Sequence, residues 1–246
     1  MALLHQDEPI IMNLKKIRRL MKKYGLVCPI RKSNPYRQQL RENIADKTPP
    51  NILDRRFRDF GPRKVLLTDI TYLHFGNSQL CYLSTVKDAY TKEILSYDLS
   101  LNLKEQFVLN TFRRLNLIHG KTLTPDTIVH SDQGAHYKAK RFDDLMEDSN
   151  FIRSMSRKAT CWDNAPQESF FGHMKDEIND RIKKCKTFPE VLAVINDYMD
   201  YYNNHRYQWE LAKLAPTEYY EYCISGKYPL TKGKNNDKRK SLHNTD

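Results

Sequence analysis

Between residues 64 and 99 the chain carries three apolar, β-rich runs separated only by tight breaks. They are Val65 to Phe75, Leu80 to Val86 and Glu93 to Leu99, with breaks at Gly76-Asn77-Ser78 and at Asp88 to Lys92. Connections this short can join only antiparallel neighbours, so the runs predict a meander. A change of period follows. Phe107, Val108, Thr111, Phe112 and Leu115 fall on one face of a helix from about Lys104 to Leu117. A short strand (Thr127 to His130), a helix (about Lys138 to Glu147), a strand (Phe151 to Met155) and a helix (about Pro166 to Lys183) come next. Three strands, then helix, strand, helix, strand, helix is an α/β order, and a mixed sheet covered by helices is its natural packing.

The flanks differ from this core. Leu14, Ile17, Leu20 and Met21 recur at helical spacing within residues 12 to 27, and Lys15, Lys16, Arg18, Arg19, Lys22 and Lys23 fill the other face. Gly25 offers a stop. Residues 33 to 63 read as a proline-bearing linker with at most one short helix. A helical extension covers 186 to 225, with a helix from Pro189 to about Asn203, and 226 to 246 is a polar, basic tail expected to be disordered. The expected units are therefore a basic helical segment (1 to 32), the linker, an α/β core (64 to 185), the extension and the tail.

Charge bears on the partner. The formal net charge is +11, concentrated in the two ends, so the chain reads as a near-neutral core with basic arms. Such an excess fits a polyanion, because Lys and Arg that neutralise phosphates release condensed counterions. Five cysteines, none in C-x-x-C spacing, argue against a disulfide framework and a zinc ribbon. The first residues lack the pattern of a signal peptide, and no apolar run reaches the roughly 18 residues needed to span a membrane. A cytoplasmic, nucleoid-associated protein is expected.

Three acids stand out by position. Asp69 lies inside an apolar strand, where a carboxylate is costly unless paired or bound to a cation; alternation also permits it to face solvent. Asp132 ends a later strand, in Val-His-Ser-Asp-Gln-Gly, where α/β folds collect their sites; it also reads as a turn residue, with Gly134 supplying the bend. Glu168 falls in the first turn of the last core helix, where the helix dipole favours a negative charge; capping alone would explain it. Asp163 or Asn164 is a good N-cap there, and Phe170, Phe171, Met174 and Ile178 supply the apolar face. Singly each acid has an ordinary explanation. Together they can converge at one edge of one sheet.

At this point a resemblance enters. Leu67-Thr-Asp-Ile-Thr-Tyr-Leu73, His130-Ser-Asp-Gln-Gly134, Ser154-Met-Ser-Arg-Lys158, Asp163-Asn-Ala-Pro-Gln-Glu-Ser-Phe-Phe171 and Tyr201-Tyr-Asn-Asn-His-Arg206, extended by Pro216 and Glu218, resemble the orfB-type transposases of bacterial insertion sequences. Their catalytic core is similar to that of retroviral integrases. The likeness covers about residues 12 to 220 and departs at Leu66, where Trp is usual, and at Ala159, where Gly is usual in the loop before the last acid. The first helix resembles only the end of the helical DNA-binding region of relatives, which points to a truncated chain or one working with an upstream-frame partner protein.

The resemblance implies an RNase H-like fold and a D,D(35)E triad of Asp69, Asp132 and Glu168, with 35 residues between the last two. It implies two Mg²⁺ ions, for which Mn²⁺ would substitute: Asp69 bridging both, Asp132 holding one and Glu168 the other. Hard cations prefer oxygen ligands, which accounts for acids rather than Cys or His. The implied chemistry is cleavage at the element's terminal repeats and transfer of the freed 3′-hydroxyl into target DNA by a homo-oligomer. Lys175, two turns beyond Glu168, together with Asn164, Arg157, Arg206, Lys15, Lys16 and Arg19, are the expected DNA contacts. For Arg206 and Asn203 the alternative to a DNA contact, and the slightly favoured one, is a tie between the C-terminal helix and the core. His130 and His136 flank Asp132 without metal-ligand spacing.

Overall fold

The computed structural model describes residues 2–4, 10–26, 48–158 and 160–229. Ala159, most of the basic tail and the first part of the linker lie outside the described residues. Two short antiparallel strands, β1 (Ala2–Leu4) and β2 (Ile10–Met12), come first; the sequence reading has no strands there, because three-residue runs show no period. The first helix, α1 (Leu14–Lys23), starts where the Asn13 side chain accepts the Lys15 N–H at 2.9 Å. Lys22 and Lys23 occupy its last turn, at the negative end of the dipole. Gly25 follows at φ 63°, the left-handed turn that stops the helix.

The main sheet has five strands in the order β5-β4-β3-β6-β7. β3 (Val65–Phe75), β4 (Gln79–Asp88) and β5 (Ile94–Ser100) form the expected meander. β6 (Ile128–Ser131) and β7 (Ile152–Met155) run parallel to β3 on its other side. β3 begins with four consecutive buried residues, where it is paired on both edges and covered on both faces. Past Thr68 the partner β6 ends, and burial along β3 loosens towards alternation.

Helices cover both faces. α4 (Ala165–Lys184) and α5 (Phe188–Asn204) pack Phe170, Met174, Ile178, Val191 and Ile195 against Leu73, Phe75 and Leu83. α2 (Glu105–His119) and α3 (Lys140–Asp148) pack Phe107, Phe112, Phe142 and Met146 against Leu66, Val86, Leu95 and Val129. A third cluster closes one end of the sheet and draws Leu53, fully buried, in from the segment read as linker. Burying one leucine contributes about 2 kcal/mol, so residues 48–63, without a helix of their own, are held to the core.

The reading of the sequence differs from the structure in two places for local reasons. The helix expected from Lys138 starts at Lys140, because a 3₁₀ turn over Ala135–Lys138 and an extended Ala139 precede it. A further helix, α6 (Pro216–Ser225), lies in the extension, where only one helix is expected. Its signals are present: Pro216 in the first turn, Glu218 accepting the Ala215 N–H at 3.0 Å, and Gly226 at φ 69°. Asn203 ties α5 to the sheet edge, donating to Ile94 O and accepting from Ile94 N, both at 2.9 Å. Cys81, Cys185 and Cys223 are free thiols. No helix among the described residues is long and apolar enough to cross a membrane.

Candidate active site

Neighbouring parallel strands set the first two acids. Thr68 of β3 pairs with Ser131 of β6, and Asp69 and Asp132 are the next residues on each chain. Glu168 arrives from α4, whose first turn is laced to β4 at two points. The buried Lys87 donates to the Pro166 carbonyl at 2.9 Å, and Gln167 bonds the Thr85 hydroxyl. Thr85 is the residue opposite Asp69 in the β3–β4 register. A helix docked there by its second and third residues must present its fourth at the same sheet end. All three acids, each half-buried, line one cleft of about 170 Å³, together with Tyr72, His136, Tyr137 and Asn164.

The floor of the cleft is Tyr137, 1% exposed, its hydroxyl 3.2 Å from that of Thr68. Burial, and then the charges of Asp69 and Asp132, push its phenol well above the ordinary range, so it stays a neutral hydroxyl. Asp132 Oδ1 accepts the Gly134 N–H at 2.9 Å, a local turn that aims the carboxylate. Gly134 sits at φ −58°, which any residue adopts, so the expected reason for a glycine is corrected: a Cβ there would stand 2.9 Å from Asp132 Oδ1. Space, not backbone freedom, requires it.

Both histidines are engaged in other bonds. His130 is fully buried between the hydroxyls of Ser154 and Ser156, at 2.9 and 3.1 Å, and burial pushes its pKa down to about 4. His136 lies 3.2 Å from the Leu103 carbonyl through Nε2. Among the described residues no three metal-ligating side chains close on one point; the three acids face a common cleft without converging.

A 3₁₀ turn over Cys161–Asn164 leads into α4. Its anchor is Asp163, whose side chain is fully buried. Arg157 donates from Nε and Nη2 at 2.9 and 3.0 Å, Arg55 from Nε at 2.9 Å, and Asn51 from Nδ2 at 2.8 Å. The Arg157 bonds hold this carboxyl well below the usual carboxylate range, against its own desolvation. Asn164 occupies the N-cap position, yet makes no capping bond. It is 4% exposed, and neither side-chain polar atom has a partner among the described residues. The expectation of a side-chain cap at Asp163 or Asn164 is thus corrected: one residue is a structural anchor, and the other borders the cleft unbonded.

Of the remaining candidate DNA contacts, Arg157 is half-exposed and spends its guanidinium on Asp163 and Asp54. Arg206 donates to Glu177 Oε1 at 2.7 and 3.1 Å and lies over the Tyr202 ring, tying the end of α5 to α4. Lys175 is half-buried on α4, while Lys15, Lys16 and Arg19 are exposed on α1. The sequence reading passes over Lys87, Thr85, Asn51 and Arg55. Lys87 carries a usable signal, a lysine inside an apolar strand, as Asp69 is a carboxylate inside one. Asn51 and Arg55 carry none, since their partner lies more than a hundred residues away.

A sheet of three antiparallel and two parallel strands with helices on both faces, an acid within its central strand and another just past the neighbouring one, defines the RNase H-like class of folds. The HTLV-2 integrase catalytic core domain in complex with magnesium shares this fold, with a TM-score of 0.53 at 13% identity over 66% of this chain and 99% of that one. A simian T-cell lymphotropic virus intasome aligns with a TM-score of 0.57 at 12% identity, over 78% and 65%. Profiles of the integrase core domain match residues 60–161 and 168–222. The putative transposase InsK for insertion sequence element IS150 of Escherichia coli K12 is 33% identical over 88% of this chain and 74% of its own length. An uncharacterised transposase-like protein of Haemophilus influenzae is 34% identical over 86% and 94%. The chain belongs to the insertion-sequence transposases built on an integrase core.

Proposed function

We propose that this transposase cuts DNA at the ends of its element and joins the freed 3′-hydroxyls to target DNA, with Asp69, Asp132 and Glu168 as the catalytic triad. The observation that carries this is the lining of one cleft by these three acids, brought there by two adjacent parallel strands and one helix start. An all-carboxylate set suits a hard divalent cation. Asp69, Asp132 and Glu168 would hold two Mg²⁺ ions, Asp69 contributing to both, and the ions would supply activation of the attacking oxygen and stabilisation of the leaving one.

The chain's own part is positional. Gly134 N–H orients Asp132, and the Lys87 and Gln167 bonds fix the turn bearing Glu168. Tyr137 keeps the floor dry and neutral. In the first step water attacks the phosphodiester at the element end, and the 3′-oxygen leaves as a hydroxyl. In the second that hydroxyl attacks a target phosphodiester, so one bond forms for each that breaks. Lys15, Lys16, Arg19 and Lys175 supply phosphate contacts, and two ends held together call for a homo-oligomer.

The test is cleavage and joining on labelled DNA carrying the element's ends, with Mg²⁺ or Mn²⁺, the upstream-frame product being added where the chain alone is silent. Wild type should give nicked and joined products, and Glu168→Gln, Asp69→Asn and Asp132→Asn should each lower both at least 10³-fold. Nicking without joining would favour a plain nuclease. Equal activity in the three variants would remove the triad.

A further inference from the structure

Trp162 is 67% exposed, although its turn borders the most buried part of the site. Thr160 and Asn164, two residues to either side, both line the cleft. Asp163 between them is buried and bonded to Arg157, Arg55 and Asn51. With its neighbour anchored in this way, Trp162 is held outward on the rim from which the Glu168 helix starts. Among the described residues no ring or cation stacks on its indole, unlike the comparably exposed Trp209, over which Lys213 lies at 4.8 Å. Tyr72, 48% exposed, lines the same cleft.

We infer that Trp162 is a stacking platform for an unpaired nucleobase next to the scissile phosphate. The inference rests on the proposed DNA cleavage and adds the form of its substrate, an end opened before it is cut. The acids lie inside a cleft of about 170 Å³ bordered by the turn that bears Trp162, so a strand whose phosphate reaches them passes the indole. A strand entering alone leaves a base without its stack. An aromatic face replaces that stack for any base, because every base has a π-face.

The experiment uses the full chain and the cleavage assay above. Trp162→Ala should cut intact ends about 10- to 100-fold more slowly, the loss expected of one stacked base, and Trp162→Phe should retain most activity. The melting temperature should not move, since the indole is exposed. A 2-aminopurine beside the scissile phosphate should be quenched on binding to the Glu168→Gln protein and not to the Trp162→Ala, Glu168→Gln double variant. An abasic residue at the displaced nucleotide should bring wild type and Trp162→Ala to equal rates, since no base then needs a platform. The inference is overturned if Trp162→Ala cuts intact ends as wild type does, or if its deficit persists on every abasic substrate. Should wild type cut nothing, while the triad variants behave as it does, the proposed function fails first and takes this inference with it.

Discussion

Asp69 and Asp132 stand side by side on neighbouring parallel strands, each one residue beyond the paired Thr68 and Ser131. Adjacent strands lie about 4.8 Å apart, so the two carboxylates are neighbours by backbone geometry before any side chain is chosen. Their fine alignment falls to Gly134, whose N–H holds Asp132 and whose missing Cβ leaves room for it. Gly134→Ala should therefore lower cleavage about 10-fold or more by displacing that carboxylate, while stability changes by less than about 1 kcal/mol, because φ −58° suits alanine. Cleavage rates beside thermal unfolding check both halves. An unchanged rate would mean that the carboxylate does not need this alignment.

Asp163→Asn should destabilise the protein by about 2 kcal/mol near neutral pH, discounted from the cost of breaking a wholly buried pair because Arg157 and Arg55 are half-exposed. The folded carboxyl is held below its unfolded value, so its stabilisation is complete above the ordinary Asp range and fades as pH falls through about 4 and lower. The gap between wild type and variant should accordingly shrink from pH 6 to pH 3. Denaturant titrations across that range measure it, and a gap independent of pH would contradict the assignment.

Lys87 is buried, and desolvation, followed by Lys92 and Arg206, brings its pKa down to about 7 from 10.5. Above pH 7 the unfolded lysine still binds a proton that the folded one has released, so stability gains with rising pH, at most about 1.4 kcal/mol per unit. Lys87→Met removes that slope. Wild-type stability relative to the variant should rise between pH 7 and 9, as read by urea unfolding. A flat difference would place the lysine in its charged form throughout.

Arg206→Ala should cost about 1 kcal/mol through loss of the Glu177 pair and the packing on Tyr202. If the tie is its whole role, the salt dependence of DNA binding will match wild type; a shallower slope would assign Arg206 a phosphate.

The sheet was readable because its signals are local. Val65 to Phe75 is bounded in the sequence by the same residues that bound the strand, since a glycine turn and a charged break leave it no other extent. The acids were readable as candidates for a similar reason, each breaking the expected pattern of its own element. What the sequence hides is pairing at long range. Leu53 and Asn51 look like linker residues until the β3 and β6 side chains and the turn before α4 stand beside them. Gly134 was legible as a glycine position but for the wrong cause, because the crowding a side chain would meet there comes from the orientation of the Asp132 carboxylate, which the sequence does not show. Helix α6 was missed although its proline, glutamate and glycine mark both ends, since its tyrosines show little helical period.

The bonds from Asn51 and Arg55 to Asp163 join the stretch of chain entering the core to the turn that leaves for Glu168. A displacement of that entering stretch thereby reaches the turn that starts the Glu168 helix without passing through the sheet.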